Sequence, residues 1–207
     1  MNEDLLDKGI ELPIMEEFYT LQGEGIQTGR AAYFVRLGGC DIACEWCDTK
    51  ESWNSNLFPP KNVDDLLLRI MAAKAQSVVV TGGEPLNWNL DYLCQKLKEN
   101  NIRTFLETSG SQPLSGLWDW ICVSPKKSST PLDYLLDKAD ELKVIVHDQT
   151  DFTWAEENAS KVRPDCYLLL QPEWSQRQQI TPVIIDYIKK FPQWRLSLQA
   201  HKFLKIP

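Results

Sequence analysis

Strand-like runs rich in β-branched and aromatic residues recur along this chain, and helical patterns separate several of them. The runs that predict strands are AAYFVRLGG, SVVVTGG, IRTFLETSG, WDWICVSP, ELKVIVHD, CYLLLQPE and WRLSLQAH. The patterns that predict helices are NVDDLLLRIMAAKA, with Asn62 as its N-cap, NLDYLCQKLKEN, PLDYLLDKAD and ITPVIIDYIKKF. Because strand and helix alternate, we expect an α/β fold in which the strands pair in parallel through right-handed crossovers.

The number of strands and the residues that follow them favour one type of α/β fold over another. Eight strands close a TIM barrel, so we favour an incomplete, open (β/α) barrel of about six parallel strands, a partial TIM barrel, over a flat doubly wound sheet. Polar or glycine-containing groups follow nearly every run, namely GGCDIAC, TGGEP, ETSG, SPKK, HDQ, QPE and QAHK. The strand ends of an α/β fold share one face, where ligands bind. The non-periodic stretch ESWNSNLFPPK predicts a loop across that face.

Length and charge narrow the possible classes of function. The chain has 207 residues with no linker, repeat or low-complexity tract, which predicts a single domain over residues 1–207. Its net charge of −7, without a Lys/Arg run, argues against nucleic acid as a partner. The start MNEDLLDKGIELP is acidic where a secretory signal is basic, and no apolar run approaches the roughly 20 residues of a membrane helix. We therefore expect a cytoplasmic protein without a membrane partner.

The six cysteines fall into two groups. Cys40, Cys44 and Cys47 lie close together, whereas Cys94, Cys122 and Cys166 stand alone in a helical pattern and two strand-like runs. A cysteine in such a run behaves as a small hydrophobic residue, so we expect these three to be buried. Without a secretion signal, the clustered thiols are predicted to be reduced and to bind metal.

The triplet lacks a local fourth ligand. A closed zinc site needs four ligands, and the two histidines of the chain, His147 and His201, lie about a hundred or more residues downstream. A four-iron cluster held by three thiolates keeps one iron open for a small molecule. Gly38 and Gly39 permit the turn into such a loop, and Trp46 is placed to shield a cluster from water.

The residues around the triplet resemble the signature of radical S-adenosylmethionine (SAM) enzymes. In Cys40-Asp-Ile-Ala-Cys44-Glu-Trp46-Cys47 an aromatic residue directly precedes the third cysteine. The segment Thr81-Gly-Gly-Glu-Pro85 follows the next strand, where the backbone of that superfamily meets the methionyl end of SAM. The resemblance implies a radical SAM core in which a loop over residues 38–49 holds a [4Fe-4S] cluster.

A narrower resemblance covers the chain from about residue 14 to its last residue. It is carried by Phe18-Tyr-Thr-Leu-Gln22-Gly-Glu24-Gly25, Thr28-Gly-Arg30, Arg36, Cys47-Asp48-Thr49, Glu107-Thr-Ser-Gly110, Ser124-Pro-Lys126, Gln171-Pro172 and His201-Lys-Phe-Leu-Lys-Ile-Pro207. These motifs are similar to those of the 7-carboxy-7-deazaguanine synthase family. One departure is Ala200, where that family usually has threonine before the histidine.

The family resemblance implies a reaction and its cofactors. The family's substrate is 6-carboxy-5,6,7,8-tetrahydropterin, which a carbon–nitrogen lyase contracts to 7-carboxy-7-deazaguanine, a queuosine precursor, with release of ammonia. A SAM-derived radical, and no side chain, would abstract the hydrogen at C6, and SAM would be regenerated. The expected cofactors are a [4Fe-4S] cluster, SAM and Mg²⁺. The expected partners are a reductant such as a flavodoxin or ferredoxin and a second copy of the chain in a homodimer.

The resemblance also implies roles for individual residues. The metal ligands would be Cys40, Cys44 and Cys47 for the cluster and Thr49 for Mg²⁺. The SAM-binding residues would be Trp46, Asp48, Gly83, Glu84, Thr108, Ser124, Pro125, Lys126, Gln171 and Pro172. The substrate-binding residues would be Leu21, Gln22, Gly23, Glu24, Arg36, Thr81, His201 and Pro207, with a tail over residues 200–207 closing the site.

Several alternatives stay open on the sequence. Arg36 is either a clamp for the substrate carboxylate or a member of a surface salt bridge, and Thr49 taken alone would be a helix N-cap. Lys126 and Lys127 cannot be told apart by charge. Two rival functions are a radical SAM activase that acts on a partner protein and a non-catalytic iron–sulfur or zinc module.

Overall fold

The computed structural model describes residues 3–207 and contains one large sheet with helices packed against it. In chain order its elements are α1 (Glu3–Asp7), β1 (Glu11–Leu12), β2 (Ile14–Leu21), β3 (Ala31–Leu37), β4 (Lys61–Asn62), α2 (Val63–Ala72), β5 (Ser77–Gly82), α3 (Asp91–Glu99), β6 (Arg103–Thr108), β7 (Trp120–Val123), α4 (Asp133–Lys138), β8 (Glu141–Val146), α5 (Asp151–Ala159), β9 (Tyr167–Pro172), α6 (Arg177–Lys190), β10 (Trp194–Leu196) and α7 (Ala200–Leu204). Short 3₁₀ turns cover Lys50–Trp53, Ser55–Leu57 and Pro85–Asn87.

The large sheet has the strand order β10-β9-β8-β7-β6-β5-β3-β2. Neighbouring strands are parallel except for β2 and β3, which are antiparallel. Within residues 3–207 the two edge strands β2 and β10 do not pair with each other, so the sheet stays open. This arrangement confirms the predicted α/β fold and open barrel, with seven parallel strands where about six were expected.

The sheet is curled. The backbone N–H of Ile26, in the loop after β2, donates a hydrogen bond to the carboxylate of Glu141 on β8 at 3.0 Å. In the strand order, β8 lies five positions from β2, and in a flat sheet five positions would span about 24 Å. The sheet therefore encloses an interior, and the loop after β2 crosses it.

The two faces of the strands carry different residues. Val78 and Val80 of β5 face the helices, where they join the main core with the buried Leu66 and Ile70 of α2. Val79 faces the interior and packs in a second, small cluster with Ala32 and Phe105, which fills the interior along the strands. Both faces of β5 are thus apolar, as the run SVVVTGG predicts.

Three segments differ from the sequence predictions. The motif FYTL lies at the end of β2, which was not predicted as a strand. Helix α5 was not predicted because its pattern DFTWAEENA presents few apolar residues. The tail was expected to keep strand character, but β10 ends at Leu196 and the chain turns into α7. It does so because the N–H of Ala200 donates to the carbonyl of Gly23 and no longer extends the strand ladder. Among the described helices none is both long and apolar enough to cross a membrane.

Candidate active site

A cavity of about 570 Å³ opens at the carboxyl ends of the parallel strands. It collects nearly all of the residues that the sequence predicts for a functional site. Those that line it are Leu21, Gln22, Gly23, Glu24, Arg36, Cys40, Cys44, Trp46, Cys47, Asp48, Thr49, Thr81, Gly83, Glu84, Thr108, Ser124, Lys126, Gln171, Pro172, His201 and Pro207. Pro125 is the exception, because it is buried behind the wall of the cavity.

The cysteine loop leaves β3 through two glycines. Gly39 has a φ of +104°, a backbone conformation that glycine adopts without steric cost. Its carbonyl accepts a hydrogen bond from the N–H of Glu84 at 2.9 Å, which ties the TGGEP turn to the start of the cysteine loop. A side chain on Gly83 would clash with that carbonyl and with the Cβ of Cys40, so glycine is required at the contact.

The three clustered thiols line one cavity and are half-buried. Burial raises the pKa of the Cys40 thiol, and burial also raises the pKa of the Cys44 thiol against the opposing charge of Lys126. No set of three or more His, Cys, Asp or Glu side chains in residues 3–207 is placed to hold a single metal ion. A closed four-ligand zinc site therefore has no support in this part of the chain.

The donor set fits a cluster with one open iron. The loop offers three thiols to the cavity, and the remaining cysteines, Cys94, Cys122 and Cys166, are buried, as predicted. Burial raises the pKa of the Cys94 and Cys166 thiols to about 12, so both are inert as ligands. Three thiolates of one short loop are the number that leaves one iron of a cubane without a protein ligand.

Thr49 and Asp48 place oxygen atoms beside the thiols. The hydroxyl of Thr49 lies 3.4 Å from a carboxylate oxygen of Asp48, and both residues line the cavity. Thr49 is the N-cap of the 3₁₀ turn Lys50–Trp53, yet its side chain makes no capping hydrogen bond. Its hydroxyl is thus free of the structural role that the sequence alone suggested.

The Glu84 carboxylate is bound by groups of the protein. Its carboxylate accepts hydrogen bonds from the N–H of Leu86, the hydroxyl of Thr108, and both the N–H and the hydroxyl of Ser109. Glu84 has an exposed fraction of 1%. Its carboxylate joins the TGGEP turn to the ETSG turn, and these hydrogen bonds all go to groups of the protein.

The two adjacent lysines lie in different environments. The Nζ of Lys126 donates to the carbonyl and the hydroxyl of Ser124, both at 2.7 Å, and lies 5.4 Å from the ring centroid of Trp46. Burial lowers the pKa of the Lys126 ammonium. Lys127 forms an ion pair with Asp151 of α5. Of the two, Lys126 is the one that lines the cavity.

Arg36 forms the salt bridge that the sequence left open as one of its two alternatives, and it also lines the cavity. Its Nε donates to a carboxylate oxygen of Glu16 at 2.6 Å, which is a salt bridge between β3 and β2. An irregularity in the β2 register between Ile14 and Glu16 brings Glu16 opposite Arg36. The pair holds the guanidinium at the cavity wall with its two terminal nitrogens outside the contact.

The interior also holds a charged group that was not predicted. The Nζ of Lys143, on β8, lies 2.7 Å from a carboxylate oxygen of Glu24 and 2.9 Å from one of Glu107. The amide of Gln22 donates to the other oxygen of Glu107 at 3.0 Å, and the amide of Gln199 donates to the other oxygen of Glu24 at 2.9 Å.

Residues of the tail form part of the cavity wall. The N–H of Ala200 donates to the carbonyl of Gly23, and the Nζ of Lys202 lies 2.8 Å from the carboxylate of Asp48. Burial opposes ionisation of Asp48, but the hydrogen bond and charge of Lys202 lower the pKa of its carboxyl overall. Burial lowers the pKa of the His201 imidazole, which packs against Gly23.

Comparison with known proteins gives full-length relatives. The model of the Radical SAM superfamily matches residues 34–123. The 7-carboxy-7-deazaguanine synthase of Flavobacterium psychrophilum is 52% identical over 202 residues, which cover 98% of this chain and 96% of the relative. That of Synechocystis is 46% identical over 95% of this chain and 94% of the relative. The crystal structure of QueE from Escherichia coli superposes with a TM-score of 0.84 at 32% identity, covering 97% of this chain and 99% of that one.

The chain belongs to the 7-carboxy-7-deazaguanine synthase family. Membership confirms the resemblance drawn from the sequence motifs, since the matches extend over almost all of the chain. It also argues against both rival functions, the protein-directed activase and the non-catalytic module.

The sequence motifs of the 7-carboxy-7-deazaguanine synthase family did not single out Lys143, Glu16 or Gln199. One signal was available for Lys143: it is a charged residue within the otherwise apolar run LKVIV, whose alternation directs it to the interior. Glu16 and Gln199 gave no such signal, because their roles depend on contacts with Arg36 and Glu24 far away in the sequence.

Proposed function

We propose that this protein is a radical SAM lyase that converts 6-carboxy-5,6,7,8-tetrahydropterin to 7-carboxy-7-deazaguanine with release of ammonia. The observation that carries the proposal is that one cavity joins the cysteine triplet to an arginine and a set of fixed polar groups. A carboxylated pterin offers one anionic group and a flat edge of donors and acceptors, which such a lining matches.

We assign the [4Fe-4S] cluster to Cys40, Cys44 and Cys47 and SAM to the strand ends beside them. When bound, the cluster and SAM supply a 5′-deoxyadenosyl radical that abstracts a hydrogen atom from the substrate. The chain contributes position and exclusion of water. Two observations support this site for SAM. The N–H groups of Gly83 and Glu84 donate to the carbonyls of Leu37 and Gly39, which places the TGGEP turn beside the cysteine loop. The Lys126 ammonium lies between Ser124 and the Trp46 ring.

The other SAM-binding residues keep their proposed roles with two changes. Asp48, Gln171 and Pro172 line the cavity near the same strand ends, which supports direct contact. The hydroxyl of Thr108 donates to Glu84, so we assign it to positioning of the TGGEP turn. Pro125 is buried, so we assign it to the shape of the wall that carries Ser124 and Lys126.

We assign the substrate carboxylate to Arg36 and the pterin edge to the residues after β2. The terminal nitrogens of the Arg36 guanidinium match a carboxylate as a bidentate clamp. Gln22, Glu24, Thr81 and the backbone of Leu21 to Gly23 offer donors and acceptors to the ring. His201 and Pro207 line the cavity from the tail, which supports a role in enclosing the substrate.

Mg²⁺ is the third proposed cofactor. The oxygen atoms of Thr49 and Asp48 are hard ligands, which suit this ion better than the nearby thiols do. We further propose a reducing location in the cytoplasm, a flavodoxin or ferredoxin as electron donor, and a homodimer. The free, half-buried thiols of the triplet and the family resemblance support these assignments.

The decisive experiment is an anaerobic assay of the reconstituted, reduced protein. With SAM, Mg²⁺ and carboxytetrahydropterin we expect 7-carboxy-7-deazaguanine and ammonia, detected by mass spectrometry and an ammonia assay. Cleavage of SAM without this product would overturn the proposed substrate. One zinc per chain without sulfide would overturn the cluster.

A matched pair of cysteine variants tests the cluster itself. Cys44→Ala removes a proposed ligand, whereas Cys94→Ala removes a buried thiol of α3. We expect about four irons per chain in the wild type and in Cys94→Ala, and loss of the cluster absorbance in Cys44→Ala. Equal iron contents in the two variants would contradict the assignment.

A further inference from the structure

Lys143 is buried, and burial of a charged lysine is energetically unfavourable unless its ammonium is paired. Its side chain has an exposed fraction of 4%, against 19% for Glu24 and 20% for Glu107. We call Glu24, Glu107 and Lys143 the interior triad. The ammonium bridges two carboxylates that come from different parts of the barrel, the loop after β2 and strand β6.

Each carboxylate of the interior triad is fixed by two side chains. One oxygen of each accepts from Lys143, and the other accepts from a glutamine, Gln22 for Glu107 and Gln199 for Glu24. A carboxylate oxygen has two lone pairs, so each still has acceptor capacity after these bonds. Both Glu24 and Glu107 line the cavity, so their remaining lone pairs can accept hydrogen bonds from a ligand there.

The charge of Lys143 favours the ionised form of the Glu24 carboxyl. Burial opposes ionisation of Glu24, but the charge and hydrogen bond of Lys143, with bonds from glutamines, lower the pKa of its carboxyl to about 2. Five other titratable groups face the interior triad. They are Glu141 of β8, Cys122 of β7, Lys126 in the segment after β7, His201 of α7 and Asp48 of the cysteine loop.

Lys126 and His201 do not replace Lys143 as a counter-ion. Burial lowers the pKa of both groups, and the ammonium of Lys126 is held by Ser124. Burial raises the pKa of Glu141 and of Cys122, which favours their neutral forms, and neither group is cationic in any form. Without Lys143, Glu24 and Glu107 would face each other near Glu141, and like charges at that spacing favour uptake of a proton.

The hydrogen-bond donors of a pterin match this pair of carboxylates. The 2-amino group and the adjacent ring N–H of an aminopyrimidinone are hydrogen-bond donors on one edge, so they need partners that only accept. An ionised carboxylate only accepts, whereas a protonated one also donates. A pair of ionised carboxylates therefore favours an amino-pyrimidinone over its oxo analogue.

We propose that Lys143 is a positioning residue that sets substrate specificity, because its ammonium pairs with the carboxylates of Glu24 and Glu107 and orients both as acceptors for the amino-pyrimidinone edge of the pterin. The inference rests on the proposed function. It concerns a different part of the substrate from the carboxylate that Arg36 binds.

The test compares two stable ligands, 6-carboxypterin and 6-carboxylumazine, in which oxygen replaces the 2-amino group. Their Kd values are measured by calorimetry with cluster-loaded, SAM-bound protein between pH 5.5 and 8. We expect the wild type to prefer the pterin by about tenfold or more, since a lost donor leaves a buried acceptor unpaired. In Lys143→Met we expect this preference to fall below about threefold, and pterin affinity to weaken as the pH falls.

Lys143→Arg is the matched control, because it keeps the charge. We expect it to keep the pterin preference and the flat pH profile, even if affinity drops for both ligands. If Lys143→Met does not fold, as judged by circular dichroism, the variant Glu107→Gln with Lys143→Met removes the charge imbalance. In that protein the remaining Glu24 should still give pterin affinity that weakens with falling pH.

Two kinds of failure are distinguishable. A wild type that binds neither ligand while cleaving SAM overturns the proposed function. A wild type that binds 6-carboxypterin without preferring it, or a Lys143→Met variant with wild-type preference and pH profile, overturns the role of Lys143 alone.

Discussion

At the scale of single residues, some of the charged groups around the cavity act on other protein groups. Glu84 gives its whole carboxylate to two turns of the backbone, and Glu16 holds the Nε of Arg36 from an adjacent strand. Through these side chains, such residues position the groups that line the site. Their substitution should therefore affect stability or affinity before it affects the chemical step.

Glu84→Gln should lower stability. The amide cannot accept the four hydrogen bonds of the carboxylate, and buried donors of Thr108 and Ser109 would lose a charged partner, at a cost of about 1–3 kcal/mol. Urea unfolding of the variant measures the change. Glu51→Gln, at an exposed position, is the control and should unfold like the wild type. An unchanged midpoint for Glu84→Gln would show that the turns are held by other contacts.

Glu16→Gln should raise KM for the pterin substrate by a few fold and leave kcat unchanged. Glu16 is 44% exposed on its side chain, so its pair with Arg36 is worth no more than about 1 kcal/mol. What the variant loses is the fixed orientation of the guanidinium at the cavity wall. Steady-state kinetics separates the two constants. Asp4→Asn, which breaks the exposed pair with Lys8, is the control, and a change confined to kcat would contradict a positioning role.

At the scale of elements, the sequence predicted the periodic segments well and the segments defined by partners poorly. Strand β5 and helix α2 follow from their own patterns, including the Asn62 cap, whose side chain accepts from the N–H of Asp64. Strand β2 was missed because its residues are polar on one face and include the motif that was interpreted as part of the site. Helix α7 was missed because residues around it fix its position, among them Gly23 and Trp174.

The site was likewise predicted well where local motifs define it and poorly where it depends on side-chain directions. The triplet and the TGGEP turn are local motifs, and the structure brings them together as the family resemblance implied. That the Glu84 carboxylate faces the protein, and that Lys126 and not Lys127 faces the cavity, depends on side-chain directions that no spacing in the sequence encodes.

An extension after the tail should impair substrate binding. Pro207 is exposed and lines the cavity, so residues added after it would start at the cavity wall, where they can hinder entry of the substrate. We expect a short C-terminal tag to raise KM for the pterin substrate at least severalfold while SAM cleavage persists. The same tag placed before residue 1 is the control. Identical kinetic constants for the two tagged proteins would show that the tail does not enclose the substrate.

At the scale of the whole molecule, contacts between distant parts of the chain surround the cavity. Gly25 donates to the hydroxyl of Ser197, Ile26 donates to Glu141, and Lys143 bridges Glu24 and Glu107. An open sheet has no ladder between its edges, so these bonds across the interior help to fix its curvature.

Acid should weaken the fold through one of these contacts. The pKa of Glu24 is about 2 in the folded chain, below its usual value of about 4.5, because Lys143 overcomes the effect of burial. A depressed pKa adds stability above the unfolded value, and this stability is lost as the pH falls from about 4.5 toward 2. Glu141, whose pKa burial raises, acts in the opposite direction.

The measurement is the free energy of unfolding of the apo-protein by urea between pH 7 and pH 3. We expect a decline below about pH 5 that is less steep in Glu24→Gln than in the wild type. Glu51→Gln, at an exposed site, should follow the wild-type curve. Equal slopes for Glu24→Gln and the wild type would show that the interior triad does not contribute to acid stability.

The bond between Gly23 and Ala200 also has a consequence for the order of events during translation. A ribosome makes Gly23 early and Ala200 nearly 180 residues later, and domains begin to fold from their N-terminal parts as they emerge. The cysteine loop and the glycine turn that packs on it are available long before α7 exists. A nascent chain could thus acquire its inorganic cofactor while it is still unable to enclose a pterin.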